Sequence, residues 1–337
     1  MHLVGLVEAP AHVCCRYRLA AFRPHLEEAG HSLELTALPG GWWSRARLFQ
    51  GLRGADVVLQ RKLLPGWQLA MLRHAARRLF FDFDDAVFLR DSYAPRGLQD
   101  AGRMRRFVAT VRACDVVLAG NSYLRARAAR WVDRHGVHVL PTCVDVGRYP
   151  LAEPVLAGDG VQLVWIGSSS TLRGLQATAP LLEEVGRRVP GLRLKVICDR
   201  FLELKHLPVV RCPWAEETEA AELAGADVGI SWVPDDQWSR GKCGLKVLQY
   251  MAAGLPVVAN PVGVHVEMVR HGDNGFLAET PAQWAEAVGR LARDPALRRR
   301  LGRAGRRRVE SDYSVTAGAA RWLNVLEGLD RRVAWTG

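Results

Sequence analysis

Residues Ser239–Gly263 read SRGKCGLKVLQYMAAGLPVVANPVG. Gly241 and Gly244 sit in a short polar loop and permit backbone conformations that other residues avoid. The apolar periodicity that follows predicts a helix from Leu245, ending at Gly254, a good C-terminal capping residue. Pro256 then leads the apolar run VVA, and a buried strand (ISWV, Ile230–Val233) precedes the loop. Strand, glycine loop, helix and strand in that order place the loop at the carboxyl end of a parallel sheet. A helix N-terminus there points unpaired amides and a positive dipole end at whatever binds, so it favours an anion. Lys242 in the loop and Lys246 in the first helical turn add two positive charges. Spacing alone leaves a second reading open, a basic surface loop capped by a helix.

The same grammar extends along the chain. GADVVL (Gly54–Leu59), ACDVVL (Ala113–Leu118) and GADVGI (Gly225–Ile230) each follow a helical stretch and enter a short apolar run. Such runs suit strands buried on both faces of a parallel sheet, where alternation disappears. Further strands are expected at Leu3–Val7, Leu79–Phe83, Val137–Leu140, Val161–Ile166, Leu194–Cys198 and Pro256–Ala259. Helical periodicity separates them, as at Leu19–Ala29, Ala101–Ala113 and Leu175–Arg188. Alternation of this kind predicts a doubly wound α/β architecture. The proline- and glycine-bearing stretch Tyr149–Gly160 is the expected break, giving Rossmann-like domains over 1–150 and 151–314. A final helix is expected over Val315–Val333, within a C-terminal segment 315–337.

Composition narrows the class. The 337 residues carry a formal net charge of +11, which favours anionic partners such as phosphates, acidic lipid headgroups or nucleic acid. Only five of the 46 basic residues are lysine, a compositional bias that warns against reading each arginine as functional. The run Leu291–Glu310 (LARDPALRRRLGRAGRRRVE) is expected to turn Leu291, Leu297 and Leu301 to a core and keep its arginines wet. A membrane-docking face is its alternative. The seven cysteines contain no C-x-x-C pair, so a zinc site or a disulfide framework is not expected. No apolar run approaches the roughly 18 residues of a membrane span, and MHLVGLVEAP lacks a basic leader. A cytoplasmic protein is expected.

Five stretches together resemble one family, the retaining glycosyltransferases of the family 4 type with the two-domain GT-B fold. They are PTCVDVGRY (Pro141–Tyr149), WIGSSSTLRGL (Trp165–Leu175), GLKVLQYMAAGLPVVANPVG, HGDNGFLA (His271–Ala278) and SDYSV. HGDNGFLA is similar to the family's glycine-rich hairpin, and SDYSV to the lead into a last helix that crosses back onto the first domain. The resemblance implies two Rossmann-like domains facing across a cleft. It also implies transfer of a sugar from a nucleoside diphosphate, UDP or GDP, to an acceptor hydroxyl with retention, and no metal or other cofactor. The amides of Cys243, Gly244 and Leu245 would meet the donor diphosphate, and the face bearing Lys246, Gln249, Tyr250 and Ala253 would run along the nucleotide. The family's two motif glutamates fall at Gly241 and Gln249, neither a carboxylate. Its phosphate-binding arginine and lysine fall at Ser168 and Arg173, so one cation survives there, with Lys246 and Lys242 supplying the rest.

In the first domain FFDFDDAVF (Phe80–Phe88) ends an expected strand in aspartates. Asp84 and Asp85 fall where many relatives place an active-site histidine, and with Lys246 they are the catalytic candidates. Carboxylates there would hold sugar hydroxyls, steady a cationic transition state or take a proton; capping of the next turn is the simpler role. Arg16 and Arg18, in EAPAHVCCRYR (Glu8–Arg18), are candidates for an acidic acceptor or the donor phosphates. Asn121 is adequately explained as a helix cap. The acceptor is an unspecified glycan, lipid-linked or small molecule, and the net charge is compatible with contact at an anionic inner membrane face. A nucleotide-sugar epimerase and a non-catalytic nucleotide-sugar-binding protein are the alternatives; no nucleic-acid-binding signature is present.

Overall fold

The computed structural model describes residues 1–133, 136–152 and 160–334, with side chains as far as residue 329. The chain divides into two compact units. One comprises Met1–Cys143, Asp236–Cys243 and the C-terminal stretch from Val315; the other comprises Val144–Asp235 and Gly244–Ser314. Most of the expected break at Tyr149–Gly160, residues 153–159, lies outside the described residues.

In the first unit six parallel strands, β1 (His2–Val7), β2 (Ser32–Ala37), β3 (Asp56–Gln60), β4 (Arg78–Phe83), β5 (Val116–Ala119) and β6 (Val137–Val139), run in the order β2-β1-β3-β4-β5-β6. Alternate residues of the central strands feed two separate cores. Leu6, Leu59, Phe81 and Phe83 pack with Leu72 and Phe107 on one face. Leu3, Val58, Phe80 and Leu118 pack with Phe22, Leu26, Trp322 and Leu326 on the other. The last two come from the helix Val315–Ala334, which approaches so closely that a side chain at Gly318 would run into Cys143 and Phe22.

The second unit repeats the plan with β7 (Val161–Ile166), β8 (Leu192–Ile197), β9 (Val209–Cys212), β10 (Val228–Ser231), β11 (Val257–Ala259) and β12 (Gly275–Leu277). Their order is β12-β11-β10-β7-β8-β9, again all parallel. The winding reverses between β7 and β10, and in the first sheet between β1 and β3; these are the switch points where open α/β sheets bind ligands.

Three strands escape the sequence reading. β2 alternates buried and exposed residues as an edge strand does, and β9 is half-buried at the opposite edge of its sheet. β12 lies in HGDNGFLA, where a hairpin was expected; its turn instead leads into a strand parallel to β11. Two expected helices are broken. Leu175–Arg188 becomes Ser169–Ala177 and Ala179–Arg188, with Pro180 in the first turn of the second piece. Leu19–Ala29 becomes a short 3₁₀ turn followed by Arg23–Glu28. The arginine run is also less wet than expected. Leu291 and Leu301 are in the core, but Arg298 is buried as well, within 3.4 Å of Asp227. Arg306 donates to the carbonyls of Tyr149 and Ala252.

Candidate functional site

In the second unit two helices begin at the carboxyl rim beside the switch point, and they differ in electrostatics. The helix Ser169–Ala177 follows β7, and its Ser169 amide donates to the Asp199 carboxylate at 2.7 Å. Hydrogen bonding from the Ser169 hydroxyl foremost, with the Cys198 thiol and this amide adding to it, holds the Asp199 carboxyl below its usual range. A carboxylate therefore already occupies this helix end. The helix Leu245–Ala252 has no side-chain cap: its N-cap is Gly244 in the left-handed region (φ 66°). Glycine is needed there twice over, because a Cβ would also lie 2.7 Å from Met268 Sδ and 2.9 Å from Val264 Cγ2. In the first turn Lys246 extends its ammonium to 3.5 Å from Thr171 Oγ1 and 5.1 Å from the centre of the Trp165 ring. It thus joins the first turns of the two helices, with its charge over the end of β7.

Behind this turn lies a neutral scaffold. His265 is buried, with Nδ1 2.9 Å from the Asn260 carbonyl and Nε2 3.0 Å from Ser231 Oγ. A carbonyl can only accept, so Nδ1 carries the proton and Nε2 accepts from the serine hydroxyl. Burial, with the Lys246 charge adding to it, lowers the His265 pKa to about 4. Asn260 exchanges two hydrogen bonds with the Val233 main chain, at 2.7 and 3.0 Å, tying the ends of β10 and β11 together. Tyr250 OH accepts from the Ile166 amide at 3.1 Å and anchors the helix beneath the end of β7.

The first unit gathers charges where β4 ends. Asp82 is fully buried, and Arg18 Nε donates to both its oxygens at 3.1 Å while Arg18 Nη1 donates to the Leu140 carbonyl at 2.6 Å. Arg61, immediately after β3, reaches Asp85 Oδ2 at 2.5 Å and Asp84 Oδ1 at 3.2 Å. It is the one non-glycine residue with positive φ (58°) among those described, a strained geometry held by its two carboxylate partners. Lys242 donates to the other oxygen of Asp85 at 2.9 Å, with its ammonium 4.8 Å from the Trp238 ring centre. These environments push the two aspartates apart. Burial raises the Asp84 pKa, helped by the neighbouring Asp85 charge and opposed by Arg61. Burial acts upward on Asp85 too, but Lys242 and Arg61 together hold its carboxyl below the usual range.

Asn121 is more than a cap. It accepts from Leu124 N at 2.8 Å and donates to the carbonyls of Lys242 at 2.9 Å and Arg240 at 3.3 Å. The loop Asp236–Cys243 is thereby fixed in the first unit, with Cys243 Sγ buried over Gly120.

The sequence candidates thus separate. Asp84, Asp85 and Lys242 come together, joined by Arg61, which the sequence reading missed although it directly follows a strand end at the switch point. Lys246 and the Ser168–Thr171 turn come together, with Ser168 N donating to Thr171 Oγ1 at 3.1 Å. Arg173 is exposed on the following turn. Arg18 is not available to an acceptor: it is fully buried and committed to Asp82. Arg16 is half-buried, stacked 4.8 Å over the Tyr17 ring. Gln249 is buried and donates to Tyr149 OH at 3.3 Å. At Gly241 a Cβ would stand 2.8 Å from both the amide nitrogen and the Cβ of Ala86, so the site excludes any side chain.

Residues 160–294 match the family model Glycosyl transferases group 1. The chain is 29% identical over 256 residues to α-maltose-1-phosphate synthase of Mycolicibacterium smegmatis, covering 64% of this chain and 63% of that one. It is 36% identical over 80 residues to spore coat protein SA of Bacillus subtilis, covering 23% of this chain and 21% of the relative. These matches span less than two thirds of either relative's length. Among solved structures, sucrose-phosphate synthase of Thermosynechococcus elongatus superposes with a TM-score of 0.74 at 17% identity, over 98% of this chain and 99% of the other. Anabaena HepE in complex with UDP and glucose gives 0.70 at 14% identity, over 97% and 100%. The fold is the two-domain Rossmann-like GT-B fold.

Proposed function

We propose that the protein is a glycosyltransferase that moves a sugar from a nucleoside diphosphate, UDP or GDP, to an acceptor hydroxyl with retention of configuration. The observation that carries this reading is the uncapped helix start at Gly244–Leu245, with Lys246 beside it at the switch point, inside the segment that matches the group 1 model. The diphosphate would lie against the amides of Cys243, Gly244 and Leu245, where the dipole and Lys246 oppose its charge. As the bond to the sugar breaks, negative charge grows on the leaving phosphate and these contacts strengthen. Lys246 and the exposed Arg173 would do this work without a metal ion. Asp85, held ionised, would face the developing positive charge on the sugar; Asp84, of higher pKa, would take the proton of the acceptor hydroxyl. Cytosolic donors suit a chain of unbridged cysteines, and the net charge suits an acceptor presented at an anionic membrane face.

A second reading has one observation in its favour. Gly241 and Gln249 stand at the motif glutamates, and Ala86 fills the space a side chain at 241 would need. A donor-binding protein without turnover fits that. One experiment separates the two. A thermal-shift screen against UDP-, GDP-, ADP- and TDP-sugars identifies the donor, since a bound donor raises stability by mass action. Release of nucleoside diphosphate then measures turnover. Lys246→Ala is expected to lower turnover at least about tenfold, the effect of roughly 1.4 kcal/mol of transition-state stabilisation. Unchanged kinetics in a folded Lys246→Ala protein would remove Lys246 from the reaction; donor stabilisation without nucleotide release would favour the second reading.

A further inference from the structure

The first unit carries an aromatic surface that the site does not use. GGWWSRARLFQG (Gly40–Gly51) follows β2 and PGWQLAMLRHA (Pro65–Ala75) follows β3, so both helices start at the carboxyl rim of the sheet. Their core contacts come from Phe49, Leu69 and Leu72. Trp42, Trp43 and Trp67 stay outside, 48%, 71% and 50% exposed. They form one cluster: the Trp42 and Trp43 rings stack with centres 3.6 Å apart, and Trp67 meets Trp42 edge-on at 6.1 Å. Arg45 fixes the two helix starts to each other, donating to the Pro39 carbonyl at 2.6 Å and to Gln68 Oε1 at 2.9 Å. The cluster is therefore held in shape before anything binds.

Its surroundings are basic. From Leu35 through Phe81 the chain has eight arginines and lysines; Arg61, Lys62, Arg73 and Arg77 are paired with carboxylates, while Arg47 and Arg53 are exposed on and just after the first of the two helices. Clustered exposed tryptophans mark a contact surface, since monomers rarely leave such groups uncovered. Tryptophan favours the headgroup level of a bilayer, and arginine is drawn to anionic lipids. A glycan platform would need polar side chains around the rings. Here Gly40, Gly41, Gly66 and Ala70 offer none, Ser44 offers one hydroxyl, and Gln68 is buried and taken by Arg45.

We infer that Trp42, Trp43 and Trp67, with exposed Arg47 beside them, dock the protein on an anionic phospholipid bilayer. This rests on the membrane contact raised above for its partner and assigns that contact a surface; it does not depend on transferase activity. The test is co-sedimentation of the full chain with phosphatidylcholine vesicles, with and without phosphatidylglycerol. The wild type is expected to pellet with the anionic vesicles, less so as salt rises. Trp42→Ala/Trp43→Ala is expected to lower partitioning about tenfold or more, and Arg47→Glu several-fold. Melting temperature should be unchanged, because these side chains lie outside the core. Quenching of wild-type tryptophan fluorescence by brominated lipid gives a readout that needs no variant. Equal pelleting of the wild type and the double variant, or no pelleting and no quenching, would overturn the proposal. So would loss of oligosaccharide binding in the double variant with vesicle binding intact, which would make the cluster a glycan platform. Failure of the transferase reading looks different: no nucleotide-sugar stabilises the protein, while the vesicle results stand.

Discussion

Replacing Arg18 by methionine tests whether the Arg18–Asp82 pair is structural. The variant removes both 3.1 Å bonds from Nε to the carboxylate, the Nη2 bond to the same group and the 2.6 Å bond to the Leu140 carbonyl. Asp82 is left fully buried with Gln60 Nε2, at 3.3 Å, as its remaining donor. A buried ion left without its partner costs about 3–5 kcal/mol. Against a domain stability of about 5–15 kcal/mol that is a large fraction. At about 2–4 °C per kcal/mol for units of this size, the first unit should melt about 6–20 °C lower. Differential scanning calorimetry is the assay, because two units can unfold in separate transitions and only one should move. The control is Arg18→Met with Asp82→Leu. Replacing both charges by apolar groups removes the desolvation cost along with the attraction, and should return stability to within about 1–2 kcal/mol of the wild type. A single variant melting within about 1 kcal/mol of the wild type would refute the structural role. If it also lost acceptor affinity, the expected acceptor-side role of Arg18 would be restored.

Two further predictions concern stability. Because His265 is buried neutral with a pKa of about 4, the unfolded chain binds a proton that the folded one refuses between pH 6.5 and 4. Stability of the second unit should therefore fall as pH drops through that window, by on the order of 3 kcal/mol. His265→Asn should be less stable at pH 7 yet flatter below 6.5; parallel pH profiles in urea titrations would count against the assignment. Gly241→Ala should destabilise by about 1–3 kcal/mol through overlap with Ala86, and Gly241→Glu by more. Gly66→Ala, which meets open space, is the control, and equal unfolding midpoints for Gly241→Glu and the wild type would refute the crowding.

The doubly wound architecture was legible because strands buried on both faces announce themselves as continuous apolar runs. DVVL at β3 and VVLA at β5 are wholly buried, and both were found from pattern alone. The strands missed were those at which that signal fails. SLELTA alternates because β2 has an open edge, and GFL is too short to outweigh the glycine-rich turn before it. Helix breaks were missed where a proline lies just inside a first turn, as Pro180 does, since the apolar periodicity runs straight through it.

The candidate site divides along another line. What a residue can do within its own turn was readable: Gly244 as a left-handed cap and Lys246 in the first helical turn follow from four consecutive letters. What a distant residue does to it was not. The helix start at Ser169 was not read at all, and the carboxylate that meets its amide, Asp199, lies thirty residues on. Arg18 looks like a loop arginine until Asp82, sixty-four residues on, claims it. Lys242 looks like a phosphate ligand, yet its ammonium rests on Asp85 at 2.9 Å. In each case a buried or rim charge meets its opposite through strand order, because parallel winding carries remote strand ends to one rim. Lys246 meets the hydroxyl of Thr171 and the ring of Trp165. With Lys242 committed to Asp85, the phosphate reading rests on the helix start at Gly244 and the Lys246 charge in its first turn rather than on the loop as a whole.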